Sequence, residues 1–369
     1  MNIQFSCTKE NLYRGLSLVS HITSKSTHLP ILHNVLIEAK EDGVTLSATN
    51  LEIALRVHVR AKVDHTGSFT VPAQVITQYI SLLTDERVDI EQEGKILKVQ
   101  SGSQKTKIHG EDATEFPIIP VVNSDQKVVV ARQDIEYALR QAAVAVSRDE
   151  TRQELTGVYF QFKDQSIVLA ATDGYRLVER TITAPHTHTI RPRIIPSATI
   201  QELSRVLAAI ADEQIDIIVG ENQIRFSTGD MELSTRLIEG SFPDYVQIIP
   251  TTHRTRVSVP KEVIMQAIKA SSLFSKSGIY DVNLHFSVEK QEITCTTVNA
   301  QLGENITKVP AEIVGESNHT ILNYRYFVDG LSTLDAAKVS MDIIDNMSPV
   351  LVRPMGDQSY TYIIMPIRQ

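Results

Sequence analysis

Residues 171–180, ATDGYRLVER, contain an acidic side chain in a position that could suit a catalytic carboxylate. Asp173 follows an alternating apolar run and precedes a tyrosine and an arginine. General acid–base chemistry needs a second carboxylate or a histidine close by, and none is adjacent in the sequence. A turn needs no such partner, because an aspartate at its first position bonds its own backbone. The residue types therefore favour a turn and predict no catalytic residue.

Motifs that hold metals or supply nucleophiles are few in this chain. His186 and His188 are spaced like metal ligands on a strand, but a solvated loop is the favoured interpretation. Cys7 and Cys295 are the only cysteines, too few for a disulfide framework or a zinc ribbon, and we expect both to be buried. GxxxxGKS/T, GxGxxG, HExxH, CxxC and GxSxG motifs are all missing. We therefore expect no metal, no cofactor and no enzymatic activity.

The composition is that of a globular protein, with 42% hydrophobic and 22% charged residues. A chain of 369 residues is too long for one ordinary core, so two or three domains are expected. The net charge of −8 argues against binding by general phosphate neutralisation but permits a local basic surface. The sequence has no apolar run long enough to span a bilayer and no secretory-signal layout at its start, which predicts a cytoplasmic protein without a membrane partner.

One layout of alternating run, Asn/Asp turn and second alternating run occurs three times. The copies are VTLSATNLEIALRVHV (44–59), IVLAATDGYRLVERTI (167–182) and the more diverged ITCTTVNAQLGENITKV (293–309). Their turns begin at Asn50, Asp173 and Asn299, which are 123 and 126 residues apart. Runs of period two on both sides of a two-residue turn predict a β-hairpin in each copy.

Two helices recur in step with the hairpins. Residues 8–22, 132–146 and 260–274 carry apolar side chains at i, i+4 and i+7, which predicts one buried stripe per helix. The stripes are Leu12, Leu16 and Val19, then Ile135, Leu139 and Ala142, then Val263, Ala267 and Ala270. A strand end and a short second helix are predicted in 70–83, 194–207 and 320–334. The sequence thus predicts three α+β domains, at 1–122, 123–252 and 253–369.

Gly174 departs from the repeat, because the other copies have Leu51 and Ala300 at this turn position. Two explanations are open: a backbone that requires a positive φ, or a surface that another molecule approaches closely. The second explanation would place function at this turn.

Four segments together resemble the bacterial DNA sliding clamps, the beta subunits of DNA polymerase III. They are ATDGYRL (171–177), SFPDYVQIIP (241–250), THLPILHNVLI (27–37) and YIIMPIRQ (362–369), and the resemblance covers the whole chain in order. It implies three repeated clamp domains, each with two helices packed on antiparallel sheets, and a homodimer closed into a six-domain ring. It also implies a processivity factor that encircles duplex DNA regardless of sequence and tethers the polymerase.

In this family the ATDGxRL turn, the FPDY segment and the last strand form a hydrophobic pocket for short peptides with leucine and phenylalanine anchors. The implied partners are the DNA polymerase III alpha subunit, the clamp loader, other polymerases and mismatch-repair proteins. Tyr175, Gln247, Pro349 and Gln369 depart from the common pattern, which predicts an altered peptide specificity. Carried over by position, the pocket would consist of Leu155, Thr172, Gly174, Tyr175, Leu177, Pro243, Ile248, Ile363, Met365 and Pro366, with Arg152, Arg176 and Arg368 at its rim.

The resemblance further implies a cationic ring lining and a subunit interface. Candidates for contact with DNA lie on or near the first helix of each repeat: Arg14, Lys25, Arg140, Arg148, Lys269 and Lys276. In the interface a late strand of the first domain would meet the third domain of the other chain, with Lys105, Thr106, Lys107 and Ile108 against Leu273 and Phe274. Thr106 and Lys107 are polar for such a contact, which predicts charge pairing or a weaker ring.

Two alternatives stay open on the residues alone. An enzyme that uses Asp173 and the nearby histidines would lose turnover on Asp173→Asn, whereas peptide docking would survive. A monomeric repeat adaptor would bind peptides without enclosing DNA, and it would have a solution mass of 41.1 kDa instead of nearly twice that value.

Overall fold

The computed structural model describes residues 2–23, 29–122, 124–185, 187–275 and 278–368. Within these ranges the chain forms 27 strands and six α-helices, two helices in each third. None of the described helices is long and apolar enough to cross a membrane.

The elements follow one another in a similar order in each third. The first third contains β1 (Gln4–Thr8), α1 (Lys9–Ser20), β2 (Asn34–Lys40), β3 (Gly43–Thr49), β4 (Ile53–Val59), β5 (Lys62–His65), β6 (Gly67–Pro72), α2 (Ala73–Leu82), β7 (Arg87–Glu93), β8 (Ile96–Ser101), β9 (Gln104–His109) and β10 (Glu111–Asp112). The second contains β11 (Lys127–Ala131), α3 (Arg132–Ala143), β12 (Gly157–Lys163), β13 (Ser166–Thr172), β14 (Arg176–Thr183), β15 (Ile190–Pro196), α4 (Ser197–Ala208), β16 (Gln214–Val219), β17 (Gln223–Ser227) and β18 (Met231–Arg236). The third contains β19 (Thr255–Pro260), α5 (Lys261–Ser272), β20 (Asp281–Ser287), β21 (Glu292–Asn299), β22 (Gly303–Pro310), β23 (Glu312–Gly315), β24 (Asn318–Asn323), α6 (Tyr324–Ser332), β25 (Lys338–Ile343), β26 (Val350–Pro354) and β27 (Tyr360–Ile364).

The strands form four antiparallel sheets, two of which join neighbouring thirds. A five-stranded sheet, β5-β1-β7-β8-β9, belongs to the first third alone, and a four-stranded sheet, β22-β21-β20-β24, belongs to the last third alone. Two nine-stranded sheets combine five strands of one third with four of its neighbour. Their orders are β10-β6-β2-β3-β4-β18-β17-β16-β11 and β15-β12-β13-β14-β27-β26-β25-β19-β23.

The packing divides the chain into two compact units. The first unit is Met1–Arg132 with Gln201–Leu237, and the second is Gln133–Ile200 with Ile238–Gln369. The division passes through the middle third because its two halves belong to different nine-stranded sheets. The domain bounds at 122/123 and 252/253 therefore rest on the sequence repeat and stay a prediction.

The first helices of the repeats bury the stripes predicted for α1 and α3. Leu12, Leu16 and Val19 have no exposed surface, and α1 begins where the Thr8 side chain accepts a hydrogen bond from the Asn11 backbone NH. In α3 the residues Ile135, Leu139 and Ala142 are likewise fully buried.

Of the stripe predicted for α5, Ala267 is buried as expected, but Val263 is wrong and Ala270 is only half-buried. Val263 is 43% exposed, whereas Ile264, Ala267, Ile268 and Ser271 are buried. Apolar residues occupy two adjacent faces of this helix, so the spacing alone fits two orientations and the packing selects the second one.

The three predicted hairpins are present as β3–β4, β13–β14 and β21–β22, but three residues, not two, lie between the strands of each. In every loop the Asn or Asp side chain accepts backbone NH groups two and three residues ahead. The Oδ1 atoms of Asn50, Asp173 and Asn299 make these bonds at 2.8 to 3.2 Å. The side chain replaces a backbone bond of the ladder, which is why the loop accommodates an additional residue.

Candidate functional site

Asp173 lies in a turn in which both of its carboxylate oxygens accept hydrogen bonds from nearby residues. Its Oδ1 accepts the NH groups of Tyr175 and Arg176, each at 3.0 Å, and its Oδ2 accepts Nε of Arg176 at 3.0 Å. Thr172 Oγ1 donates to the Arg176 carbonyl at 2.7 Å and accepts the Gly174 NH at 3.1 Å. These bonds confirm the prediction that Asp173 is a turn residue.

The backbone conformation explains Gly174. Its φ is +88°, in the left-handed region that glycine adopts without strain. A Cβ built on this residue would have no atom within 4 Å, so no neighbouring group requires the side chain to be missing. The space beside the turn is open.

Arg176 connects the turn to α6. Its NH1 donates to Asp329 Oδ2 at 2.8 Å, and its guanidinium carbon lies 4.4 Å from the centre of the Tyr326 ring. The side chain is only 12% exposed. Burial by itself would lower the pKa of Arg176, but Tyr362 and the two carboxylates outweigh it and raise the pKa above its usual value. The arginine is therefore a fixed cation that holds the turn in place.

Three segments of the second unit meet at one apolar cluster. Leu177 on β14 pairs with Ile363 on β27, and the Met365 NH then donates to the Tyr175 carbonyl at 2.8 Å. The segment after β18 contributes Tyr245. The cluster consists of Ala170, Leu177, Tyr245, Leu351 and Ile363, with Tyr159, Phe242 and Ile249 packed against it.

Apolar side chains remain accessible above this cluster. Tyr175 is 64% exposed and Ile248 is 43% exposed, while Met365 and Pro366 are half-buried. We call these four residues the Met365 surface. The Tyr175 ring stacks on that of Tyr326 with 6.5 Å between ring centres, so one edge of the surface is fixed by α6.

The other residues proposed for the pocket lie below the surface or beside it. Thr172, Leu177 and Ile363 are buried, and Leu155 is buried in the short 3-10 turn Gln153–Leu155, outside the cluster named above. Pro243 is half-buried next to Phe242. Arg368 is exposed, and Arg152 is paired with Glu154 at 3.1 Å.

Several side chains at this site were not named among the pocket residues, although Phe242 and Tyr245 belong to the FPDY segment assigned to the pocket. Tyr159 and Phe242 stack with their ring centres 4.9 Å apart, and the Tyr245 hydroxyl donates to Glu179 at 2.7 Å. The alternation along β12 marks Tyr159 as a residue on one face of a sheet. Tyr326 and Asp329 have no local signal, because their contact with Arg176 spans about 150 residues of chain.

The candidate cations for DNA differ in their surroundings. Arg140 is 2.9 Å from Asp335, which neutralises part of its charge, and Arg14 is 4.0 Å from Asp230. Arg148 and Lys269 are exposed. Lys25 and Lys276 lie outside the described residues.

The candidate interface residues lie on two sheet edges. The last strand of the five-stranded sheet, β9, contains Lys105, Thr106 and Lys107. Ile108 is on the same strand, paired with Leu97, but it is buried and only 6% exposed. Leu273 is 74% exposed at the end of α5. Phe274 reaches Gly303 at the start of β22, the edge of the four-stranded sheet: a Cβ built on that glycine would be 3.9 Å from its ring.

Groups that bind metals or act as nucleophiles are not assembled in the described part of the chain. No cluster of three or more His, Cys, Asp or Glu side chains there is arranged to hold an ion. His188 is exposed, and His186 is outside the described residues. Burial raises the pKa of both Cys7 and Cys295 to about 12, so neither is a thiolate near neutral pH.

Three family models match the chain one after another. They describe the N-terminal, central and C-terminal domains of the DNA polymerase III beta subunit, over residues 3–120, 129–244 and 246–368. The chain belongs to this family. It is therefore a sliding clamp, a processivity factor of the replicative polymerase, and not an enzyme.

Individual relatives agree with the family assignment. The beta sliding clamp of Synechococcus elongatus is 30% identical over 368 residues, with 98% of each chain covered. The crystal structure of the beta subunit from Thermotoga maritima superimposes with a TM-score of 0.93 at 25% identity, with both chains fully covered. A clamp structure from Pseudomonas aeruginosa, solved with bound griselimycin, has the same fold with a TM-score of 0.95 at 24% identity.

Proposed function

We propose that the Met365 surface docks short peptides with leucine and phenylalanine anchors. The partners would be the DNA polymerase III alpha subunit, the clamp loader, other polymerases and mismatch-repair proteins. The observation that carries the proposal is a set of accessible apolar side chains above a rigid buried cluster, at the junction of β14 and β27. A thioether such as Met365 adapts to anchors of different shape, which suits a site shared by several partners.

The binding energy expected for two apolar anchors on the Met365 surface agrees with exchangeable binding. Each leucine or phenylalanine that becomes fully buried contributes roughly 1.5–3 kcal/mol. Two such anchors, reduced by the cost of ordering the peptide, correspond to micromolar affinity. Partners would then replace one another on the clamp.

The test is fluorescence anisotropy of a labelled Gln-Leu-Asp-Leu-Phe peptide titrated with the full chain. We expect micromolar binding, weakened roughly fivefold to tenfold by Met365→Ala because part of the apolar contact is lost. Met355→Ala is the matched control, since Met355 is 52% exposed on a loop after β26 and should leave binding unchanged. Equal affinity of the native chain and Met365→Ala would refute the assignment of the surface.

For the dimer, the sheets supply the argument. In both nine-stranded sheets, five strands of one third and four of a neighbouring third meet at the second strand of a hairpin: β4 pairs with β18 and β14 pairs with β27. The third hairpin ends at β22, the edge of a four-stranded sheet, and the five-stranded sheet ends at β9. Pairing of β22 in one copy with β9 in another would complete a third nine-stranded sheet. Two such joints close a ring.

An apolar contact is also available for this joint. Leu82 is 73% exposed at the end of α2, and the nearby Thr84 NH donates to the Gln104 side chain on β9 at 3.1 Å. Leu82 on one side of the joint and Leu273 on the other would add an apolar component to an interface for which the sequence predicts charge pairing or a weaker ring.

The ring would hold duplex DNA by enclosure, so a few exposed cations are enough. Of the candidates, Arg148 and Lys269 are exposed, and Arg14 and Arg140 have an acidic neighbour. Enclosure explains how a chain with a net charge of −8 retains a polyanion. A role in chromosome replication would place the protein in the cytoplasm.

A further inference from the structure

The first unit contains a small groove at the junction of β4 and β18. Its walls are the turn after β3, the segment Pro117–Pro120 and the end of β18, and its volume is about 250 Å³. Ala54, Phe116 and Ile119 form a buried cluster beneath it. We call this cavity the Leu51 groove.

Three hydrogen bonds at the Leu51 groove have direct counterparts at the Met365 surface. Thr49 Oγ1 donates to the Ile53 carbonyl at 2.9 Å and accepts the Leu51 NH at 3.0 Å, as Thr172 does with Arg176 and Gly174. The neighbouring strands also end alike: the Arg236 NH donates to the Glu52 carbonyl at 3.0 Å, and the Met365 NH donates to the Tyr175 carbonyl at 2.8 Å. The two junctions are therefore equivalent positions of the repeat.

Two apolar side chains on this groove are exposed to solvent, and the backbone of one of them is strained. Leu51 is 47% exposed and has φ +76°, a conformation that is strained for a leucine and that glycine adopts freely in the equivalent turn. Ile118 is 93% exposed. Its segment is held in position by Arg56, whose NH2 donates to the Ile119 carbonyl at 3.0 Å. A fixed segment that presents an isoleucine to solvent is a prepared contact surface.

Charge at the groove points to the kind of ligand. Arg236 lines the groove and is exposed, and within the described part of the chain no carboxylate forms an ion pair with it. Glu52 is also exposed, but it does not pair with Arg236. An unpaired guanidinium beside an apolar cavity suits a ligand in which an apolar anchor is next to an acidic residue.

We propose that the Leu51 groove is a second peptide-docking site on each subunit. Its occupant is a linear peptide segment with a leucine or phenylalanine anchor and an adjacent aspartate or glutamate, carried by a protein that docks on the clamp. The inference rests on the proposed function of the Met365 surface, since the equivalence of the two junctions connects them. A cavity of about 250 Å³ accommodates one anchor side chain, so the site is weaker than the Met365 surface.

The experiment is methyl NMR of the full chain labelled at isoleucine, titrated with the Gln-Leu-Asp-Leu-Phe peptide. The Ile118 methyl signal, identified as the one lost in Ile118→Val, reports on the Leu51 groove, and that of Ile248 reports on the Met365 surface. We expect both signals to shift. The Ile118 signal should reach saturation at a higher peptide concentration than the Ile248 signal, and it should still shift in the Met365→Ala variant. A shift of Ile248 alone up to millimolar peptide would overturn the second site and leave the proposed function intact. If neither signal moves, both proposals fail.

Two variants test the contacts. Leu51→Gly removes the apolar wall of the groove and relieves the strain of the left-handed backbone, so the chain should be at least as stable as the native one. The affinity of the peptide for the groove, measured from the Ile118 signal, should fall about threefold to tenfold.

Arg236→Gln should weaken binding of the Asp-containing peptide about twofold to fivefold, because the lost contact is an exposed charge pair. Binding of the Gln-Leu-Asn-Leu-Phe peptide should be unchanged. Arg60→Gln is the matched control for a lost exposed arginine. If Leu51→Gly and Arg236→Gln both bind the peptide with the native affinity, as measured from the Ile118 signal, the groove is not the binding site.

Discussion

Arg176 links the groups that hold Tyr175 in position. It binds Asp173 in its own turn and Asp329 on α6, and it lies under the Tyr326 ring on which Tyr175 stacks. Two carboxylates and two aromatic rings therefore depend on one cation. Removal of one member of such a group leaves the others without the charge that offset their burial.

We predict that Arg176→Met destabilises the chain by about 2 kcal/mol, less than for a fully buried pair because Asp329 is 49% exposed. The measurement is the free energy of unfolding in urea, with Arg152→Met as the control. Arg152 is 55% exposed and pairs with Glu154, so its loss should change stability by less than about 0.5 kcal/mol. Equal stabilities for the two variants would mean that the Arg176 pairs add nothing net.

At the residue scale, the sequence predicts what is local. Asp173 was identified as a turn residue because its hydrogen bonds are made within three positions of it. Asp329 and Tyr326 were not identified, since their relation to Arg176 exists only after the last third has folded onto the middle one. The resemblance to the clamp family supplied the segments of the proposed pocket but not these supporting contacts.

At the scale of elements, glycine sets how closely a helix approaches a strand. A Cβ on Gly330 in α6 would lie 2.1 Å from the Tyr362 ring on β27. The Tyr362 hydroxyl donates to the Tyr326 carbonyl at 2.7 Å, so the ring cannot move away without breaking that bond. The contact is part of the support for the strand that leads to Met365.

Gly330→Ala should therefore destabilise the chain by about 1–3 kcal/mol through overpacking, in spite of the gain of up to about 1 kcal/mol in helix propensity. Thermal unfolding measures the net effect. Gly229→Ala is a suitable comparison, since a Cβ at that position would have no atom within 4 Å. A stabilised Gly330→Ala variant would contradict the close packing of α6 on β27.

The elements themselves were largely predictable because they repeat. Hairpin, first helix and second helix recur in three copies, and each copy supports the others. The errors have physical reasons: the Asx side chains add one residue to each turn, and α5 has two apolar faces between which only packing discriminates. The sharing of sheets between thirds is absent from the sequence pattern, since strand order depends on partners far apart in the chain.

At the scale of the whole molecule, the sheet edges at β9 and β22 lead to a testable prediction about assembly. Leu273→Asp places a charge where the β22 edge would meet the β9 edge of another copy. We expect the solution mass, measured by light scattering, to fall from twice 41.1 kDa to a single chain at micromolar concentration. Val314→Asp is the control, at 62% exposure on β23. A native mass of one chain would instead favour the monomeric adaptor.

The open edges also have a kinetic consequence. A ring closed by β9 and β22 has two identical joints, and encircled DNA escapes when either one separates. If the joints open independently, the escape rate is twice the opening rate of one joint, so the residence time on DNA is half of a joint's lifetime. Each subunit contributes one edge to each joint, and a substitution on either edge therefore shortens both lifetimes together.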